Sequence, residues 1–107
     1  MLTLYVMSVL DVLDDPTRRR IVEVLSHGEL SATQIAAEFE ISRPAVSQHL
    51  SVLLDGGVLT VRPSGRRRLY RLQHQSLQQA GDWLTAQAGR WERTLDGLES
   101  ALDEGKV

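Results

Sequence analysis

The spacing of hydrophobic positions changes along this chain and divides it into seven elements. Through most of the chain, apolar residues recur at steps of three and four, which is the period of an amphipathic helix. Between residues 58 and 73 they form two short β-prone runs around a Pro-Ser-Gly turn. The predicted elements are helices over 2–13, 16–26, 32–39 and 42–55, strands over 58–63 and 67–73, and a helix over 75–102. The pattern therefore predicts a mainly α fold with a small β-hairpin, in the order α-α-α-α-β-β-α.

Short polar segments mark where the helices begin and end. Asp15 stands before a proline at the start of the second helix, where an aspartate caps free N–H groups and proline fits the first helical position. Ser31 and Gln34 have the spacing of a capping box. Ser42 is placed to cap the fourth helix, and the glycine pair at 56–57 is placed to end it.

The first and last helices carry more apolar surface than one small chain covers. Residues 2–13 are apolar on nearly all sides, and residues 75–102 carry a continuous apolar seam. A second copy of the chain is a natural cover, so we expect one domain, residues 1–107, that dimerises through these two helices. The expected interface residues are Leu4, Val6, Leu10, Leu84, Trp91, Leu95 and Leu98. A ligand pocket lined by Trp83 and Trp91 is an alternative, although aromatic residues on a helix seam more often lie in a core or an interface.

Composition excludes several classes of protein. The chain has 107 residues and no cysteine, which rules out disulfides and thiolate metal sites. No run approaches the roughly 18 apolar residues of a membrane span. The apolar start has no basic region before it and no small-residue cleavage site, so we interpret it as a buried helix and not as a signal peptide. We expect a cytoplasmic protein with no membrane partner.

The net charge of −2 conceals a strongly basic middle segment. Residues 42–73 carry six arginines and one acidic residue, whereas the segments before and after them are acidic. A Debye length of about 8 Å at physiological salt screens the distant acidic residues from an approaching polyanion. The charge distribution therefore favours a nucleic-acid partner for the middle of the chain.

The helix over 42–55 has one apolar face and one small, polar face. Gln48 and Arg43 can read base edges through two hydrogen bonds, and the serines can bond a base or a phosphate. The expected groove residues are Arg43, Ser47, Gln48 and Ser51. His49 lies beside the apolar face; it is a candidate for DNA contact, but a packing role is the more common one for such a histidine. An ordinary solvated helix face remains the alternative for the whole set.

The hairpin carries the second candidate surface. Arg66, Arg67 and Arg68 follow Gly65 at the tip, and such a tip can follow a DNA backbone or enter a minor groove. Strand alternation places Arg67 and Arg68 on opposite faces, so the arginines of residues 62–71 cannot all face DNA. The alternative is a solvated basic loop that keeps a strand edge from pairing elsewhere.

Taken together, these motifs resemble the ArsR family of winged helix-turn-helix repressors over about residues 5–102. The resemblance is carried by Asp15 to Ile21, Gly28 to Ser31, Ser42 to Leu50, Gly57 to Leu59 and Gly65 to Tyr70. It implies a homodimer, built through the first and last helices, that binds double-stranded DNA at an inverted-repeat operator and represses transcription. The reading helix would be 42–55 and the wing 62–71.

The sequence departs from the metal sensors of that family. Ser31 and Thr33 stand where one type of sensor has cysteines, and Leu84, Leu95 and Leu98 stand where another type has ligands after Asp82. We therefore expect no metal and no cofactor, with a small-molecule or protein effector left open. There are two alternatives. One is a metal-responsive repressor that uses histidines and carboxylates, and the other is a winged-helix module that binds protein without reading DNA. No nucleophile–base pair or phosphate loop is visible, so we expect no enzyme activity.

Overall fold

A computed structural model describes the backbone of residues 2–104 and the side chains of residues 6–99. Five helices and three strands follow one another along these residues. In order they are α1 (Leu2–Val12), α2 (Pro16–Leu25), β1 (Leu30–Ser31), α3 (Ala32–Ala36), α4 (Arg43–Asp55), β2 (Leu59–Ser64), β3 (Arg67–Leu72) and α5 (His74–Glu104). The predicted elements are all present, and most of their ends lie within two residues of the predicted positions; α3 ends three residues earlier. No described helix is long and apolar enough to cross a membrane.

The helix starts form as the sequence predicts. The Asp15 carboxylate accepts hydrogen bonds from the backbone N–H groups of Thr17 (2.8 Å) and Arg18 (3.1 Å). The capping box closes in both directions, since the backbone N–H of Gln34 donates to the Ser31 hydroxyl and the Ser31 N–H donates to the Gln34 side chain. These bonds satisfy N–H groups that have no partner inside their own helices.

The end of α4 is fixed by Gly57, which has a φ of 75°. Its N–H donates to the Leu54 carbonyl at 3.0 Å, and the N–H of Val58 donates to the Leu53 carbonyl at 3.0 Å. This pair of bonds is the Schellman arrangement, in which glycine adopts the left-handed conformation at least cost. The chain turns here from α4 into β2, which sets the angle between the helix and the hairpin.

The sheet contains one strand that the sequence analysis did not predict. β1 pairs antiparallel with β3, through Leu30 opposite Tyr70 and Ser31 opposite Leu69, and gives the strand order β1-β3-β2. A two-residue strand has no periodicity of its own, and it exists only because β3 is brought beside it. Its consequence is that the residues just before α3 are paired with the middle of β3.

A single core joins the helices to the sheet. The completely buried residues include Ile21 of α2, Ile35 of α3, and Val46 and Leu53 of α4. Val6 of α1 also lies in this core with no exposed surface. The prediction that Val6 lies at the subunit interface was therefore wrong, because the face of α1 that carries it packs against the rest of its own chain.

Candidate nucleic-acid interface

Helix α4 separates its side chains into a buried face and an exposed face. Val46, Leu50 and Leu53 anchor it in the core. The exposed face consists of Arg43, Pro44, Ser47, Gln48, Ser51, Val52 and Asp55. All four residues predicted to enter a groove therefore lie on the exposed side, and the face is narrow because serine and proline are small. A helix of this shape can enter a major groove.

Val52 belongs to the exposed face but was not among the predicted residues. It is 39% exposed and lies one turn after Gln48. On a helix that lies in a major groove, an apolar side chain that points away from the protein core can contact a thymine methyl group. The step of four from Gln48 was the signal in the sequence that pointed to it.

His49 lies at the side of α4, half-buried, and not on the exposed face with Gln48. It is close enough to Asp15 to contribute to the electrostatics of the α2 cap. The pKa of Asp15 is lowered chiefly by the hydrogen bond from the Arg18 backbone N–H, with smaller contributions from the Thr17 N–H and from His49. The position of His49 favours the packing interpretation over direct contact with a base.

The hairpin turns at Gly65, whose φ is 64°, and its two strands pair from Leu59 opposite Leu72 to Ser64 opposite Arg67. Directly opposed residues share one face of the sheet. One face therefore carries Thr60, Arg62, Arg67, Leu69 and Arg71, and the other carries Val61, Arg68 and Tyr70. The basic residues of the wing are divided between these two faces, as alternation predicts.

Two arginines of the wing strands, Arg62 and Arg71, have side-chain partners. Arg62 donates two hydrogen bonds to the Glu29 carboxylate, one of them from Nε at 3.0 Å. These bonds lower the pKa of Glu29 and raise that of Arg62. Arg71 donates from Nε to the Thr60 hydroxyl at 3.2 Å. The Glu29–Arg62 pair was not predicted from the sequence, because its partners are 33 positions apart.

The arginines at the tip of the wing instead border a cleft of about 480 Å³ between the wing, α3 and the start of α4. Its lining residues are Ser31, Ala32, Thr33, Gln34, Arg43, Arg66, Arg67, Arg68 and Tyr70. We call it the arginine cleft. It contains four guanidinium groups and no carboxylate, so its field is strongly positive. The structure thus brings Arg43 of the reading helix together with the three predicted wing residues, while Gln48 and the two serines lie outside the cleft.

The predicted dimer surface on α5 is exposed in the single chain. Trp91 is 66% exposed and Leu95 58%, and Leu84 and Leu98 are exposed to similar degrees. Leu10 of α1 is half-buried against the core, and the side chain of Leu4 lies outside the described residues. Trp83 packs partly against the core, whereas Trp91 lies further along α5 in a shallow depression with Gln87, Arg90 and Thr94. Trp83 is not among the residues that line this depression.

The described side chains, residues 6–99, contain no group of three histidine, aspartate or glutamate residues that could hold a metal ion. The chemistry of the surface is therefore that of guanidinium, hydroxyl, amide and methyl groups. These groups can recognise phosphates and base edges.

Comparison with known proteins agrees with this geometry. Residues 13–62 match the model of a helix-turn-helix domain. The chain is 42% identical over 92 residues to the HTH-type transcriptional regulator Rv2034 of Mycobacterium tuberculosis, which covers 85% of the chain and 82% of that protein. It is 39% identical over 70 residues to the arsenical resistance operon repressor of Staphylococcus xylosus, covering 65% of the chain and 67% of the repressor. Among solved structures, a homodimeric winged helix-turn-helix DNA-binding domain from Mycobacterium bovis, from a possible ArsR-family transcriptional regulator, superposes with a TM-score of 0.66 at 26% identity. That match covers 80% of this chain and 82% of the other.

Proposed function

Because the chain belongs to the ArsR family of winged helix-turn-helix repressors, we propose that two copies bind an inverted-repeat operator and that each copy inserts α4 into the major groove. The chain is a DNA-binding transcriptional repressor and not an enzyme. Its fold is the predicted winged helix-turn-helix. We further propose that it acts in the cytoplasm, where it has access to chromosomal DNA.

The observation that carries the proposal is the joint exposure of two surfaces on one side of the chain. The exposed face of α4 supplies Ser47, Gln48 and Ser51 for base edges, and Val52 for a thymine methyl group. The arginine cleft next to it supplies positive charge for the backbone. Base reading and phosphate attraction are thereby provided by neighbouring elements of the fold.

The exposed seam of α5 supports dimerisation through α5 and α1. Four large apolar residues that are each about half exposed would be costly to leave in water, and a second copy covers them. A two-fold axis between the copies would place the two α4 helices about 34 Å apart, one turn of DNA, so that both read half-sites on the same face of the duplex. The operator is therefore expected to be an inverted repeat with half-site centres about 10 base pairs apart.

Footprinting on the DNA upstream of the protein's own gene tests this proposal. We expect a protected region containing an inverted repeat, and we expect Gln48→Ala to lose affinity for it while keeping the wild-type affinity for unrelated DNA. Glu38→Ala, an exposed site outside both surfaces, serves as the control. If Gln48→Ala weakened binding equally for every sequence, Gln48 would be a positioning residue, and the assignment of α4 as the base reader would be wrong.

A further inference from the structure

The arginine cleft lies where a DNA strand has to pass. If α4 occupies a major groove and the wing tip reaches the neighbouring minor groove, the sugar–phosphate backbone that separates these grooves runs between the two elements. The space between the start of α4 and the wing tip is the arginine cleft. This argument rests on the proposed function, because it takes the insertion of α4 as given.

The lining of the cleft is suited to a phosphodiester. Arg66, Arg67 and Arg68 are exposed, and within residues 6–99 none of their guanidinium groups has a side-chain hydrogen bond or an ion pair. The Glu29 carboxylate is engaged by Arg62 and does not line the cleft. The guanidinium groups in the cleft therefore keep their donors for an anion, and phosphate matches their paired N–H geometry.

Arg43 is held in this cleft by a residue of another helix. Its NH1 donates to the Thr33 hydroxyl at 2.7 Å, across the turn that joins α3 to α4. A guanidinium has five N–H donors, so this single bond orients the group and leaves four donors available. Without the tether, the long side chain could adopt many rotamers, and ordering it on DNA would cost conformational entropy.

We propose that the arginine cleft is a site for a DNA backbone phosphate, in which Arg43 binds the phosphate and Thr33 is the positioning residue that orients Arg43. Arg43 is thereby assigned to the backbone and not to a base edge, which leaves Ser47, Gln48, Ser51 and Val52 as the readers of sequence. The start of α3, through Thr33, thus influences DNA affinity although it does not read a base.

The test uses the full-length protein and operator duplexes in which single phosphates are replaced by neutral methylphosphonates. We expect one such position in each half-site to weaken binding of the wild type, and to cause no further loss in Arg43→Ala. Thr33→Val should weaken binding of specific and unrelated DNA by the same factor and add little when combined with Arg43→Ala. Thr33→Ser, which keeps the hydroxyl, should bind as the wild type does.

Two results would overturn the inference while leaving the proposed function intact. One is that Arg43→Ala responds to every methylphosphonate as the wild type does, which would mean that Arg43 contacts no phosphate. The other is that Thr33→Val binds like Thr33→Ser at an equal melting temperature, which would mean that the Thr33 hydroxyl does not orient Arg43. If the wild type showed no operator preference at all, the proposed function itself would be wrong, so the two failures are distinguishable.

Discussion

Replacing Arg68 with alanine should weaken DNA binding and flatten its dependence on salt, whereas the same replacement at Arg71 should have little effect. The two residues lie on the same strand, three positions apart, and both are exposed. They point to opposite faces of the sheet, since Arg68 borders the arginine cleft while Arg71 donates to Thr60 on the other side. The two variants therefore each remove one positive charge, but from opposite faces of the same strand.

The size of the effect follows from counterion release. Each phosphate neutralised on B-DNA contributes about −0.9 to the slope of log affinity against log salt. A dimer carries two copies of Arg68, so Arg68→Ala should reduce the magnitude of the slope by about 1.8. Over a fourfold rise in salt, from about 50 to 200 mM, the wild type should then lose about twelvefold more affinity than the variant.

Fluorescence anisotropy with a labelled duplex of random sequence measures this slope without knowledge of the operator. Circular dichroism of each variant checks that the fold is retained. Equal salt slopes for Arg68→Ala and Arg71→Ala would refute this prediction, because the face of the wing on which an arginine lies would then have no consequence for DNA binding.

Three further predictions concern stability and assembly. Asp15→Ala should lower the free energy of unfolding by about 1 kcal/mol, as the loss of an N-cap does. Because the pKa of Asp15 is lowered in the folded state, the wild type should melt at a higher temperature than Asp15→Asn near neutral pH, and this difference should be lost as the pH falls below the ordinary pKa of 3.8. A difference in melting temperature that stayed unchanged at lower pH would contradict this. Gly57→Ala should destabilise by about 1–2 kcal/mol in urea unfolding because its φ is positive, whereas Gly81→Ala, in a helix with open space around the new methyl group, should be neutral or stabilising. Leu95→Glu should convert a dimer to monomers in sedimentation experiments with helicity retained, and Ala86→Glu on the opposite side of α5 should not; a dimer that survived Leu95→Glu would rule out this seam as the interface.

The parts of the fold that depend on neighbouring residues could be predicted from the sequence. The Asp15 cap and the Ser31–Gln34 capping box each act over two or three positions, so their hydrogen bonds are implied by residue type and spacing. The apolar face of α4 is likewise local, because helical period alone places Val46 and Leu50 together.

The parts that depend on distant residues were missed or misplaced. β1 has no pattern of its own and needs β3, some 40 residues later, to complete its pairing. Val6 was assigned to a subunit interface because α1 is apolar on all sides, and periodicity gives no means of deciding which face the chain itself covers. Val52 was visible in the spacing but was overlooked, since the expected chemistry was polar.

The sequence by itself determined that this chain carries a helix with one small, polar face and a basic hairpin, because helical period, caps and turn residues act within a few positions. Only the tertiary structure decided which arginines share a surface. Folding places Thr33 against Arg43, which orients that guanidinium in the arginine cleft. It also places Glu29 against Arg62, which neutralises the charge of Arg62 outside the cleft. The physical reason is that an arginine's role is set by the charges and acceptors within a few ångströms of it, and these come from other elements of the fold.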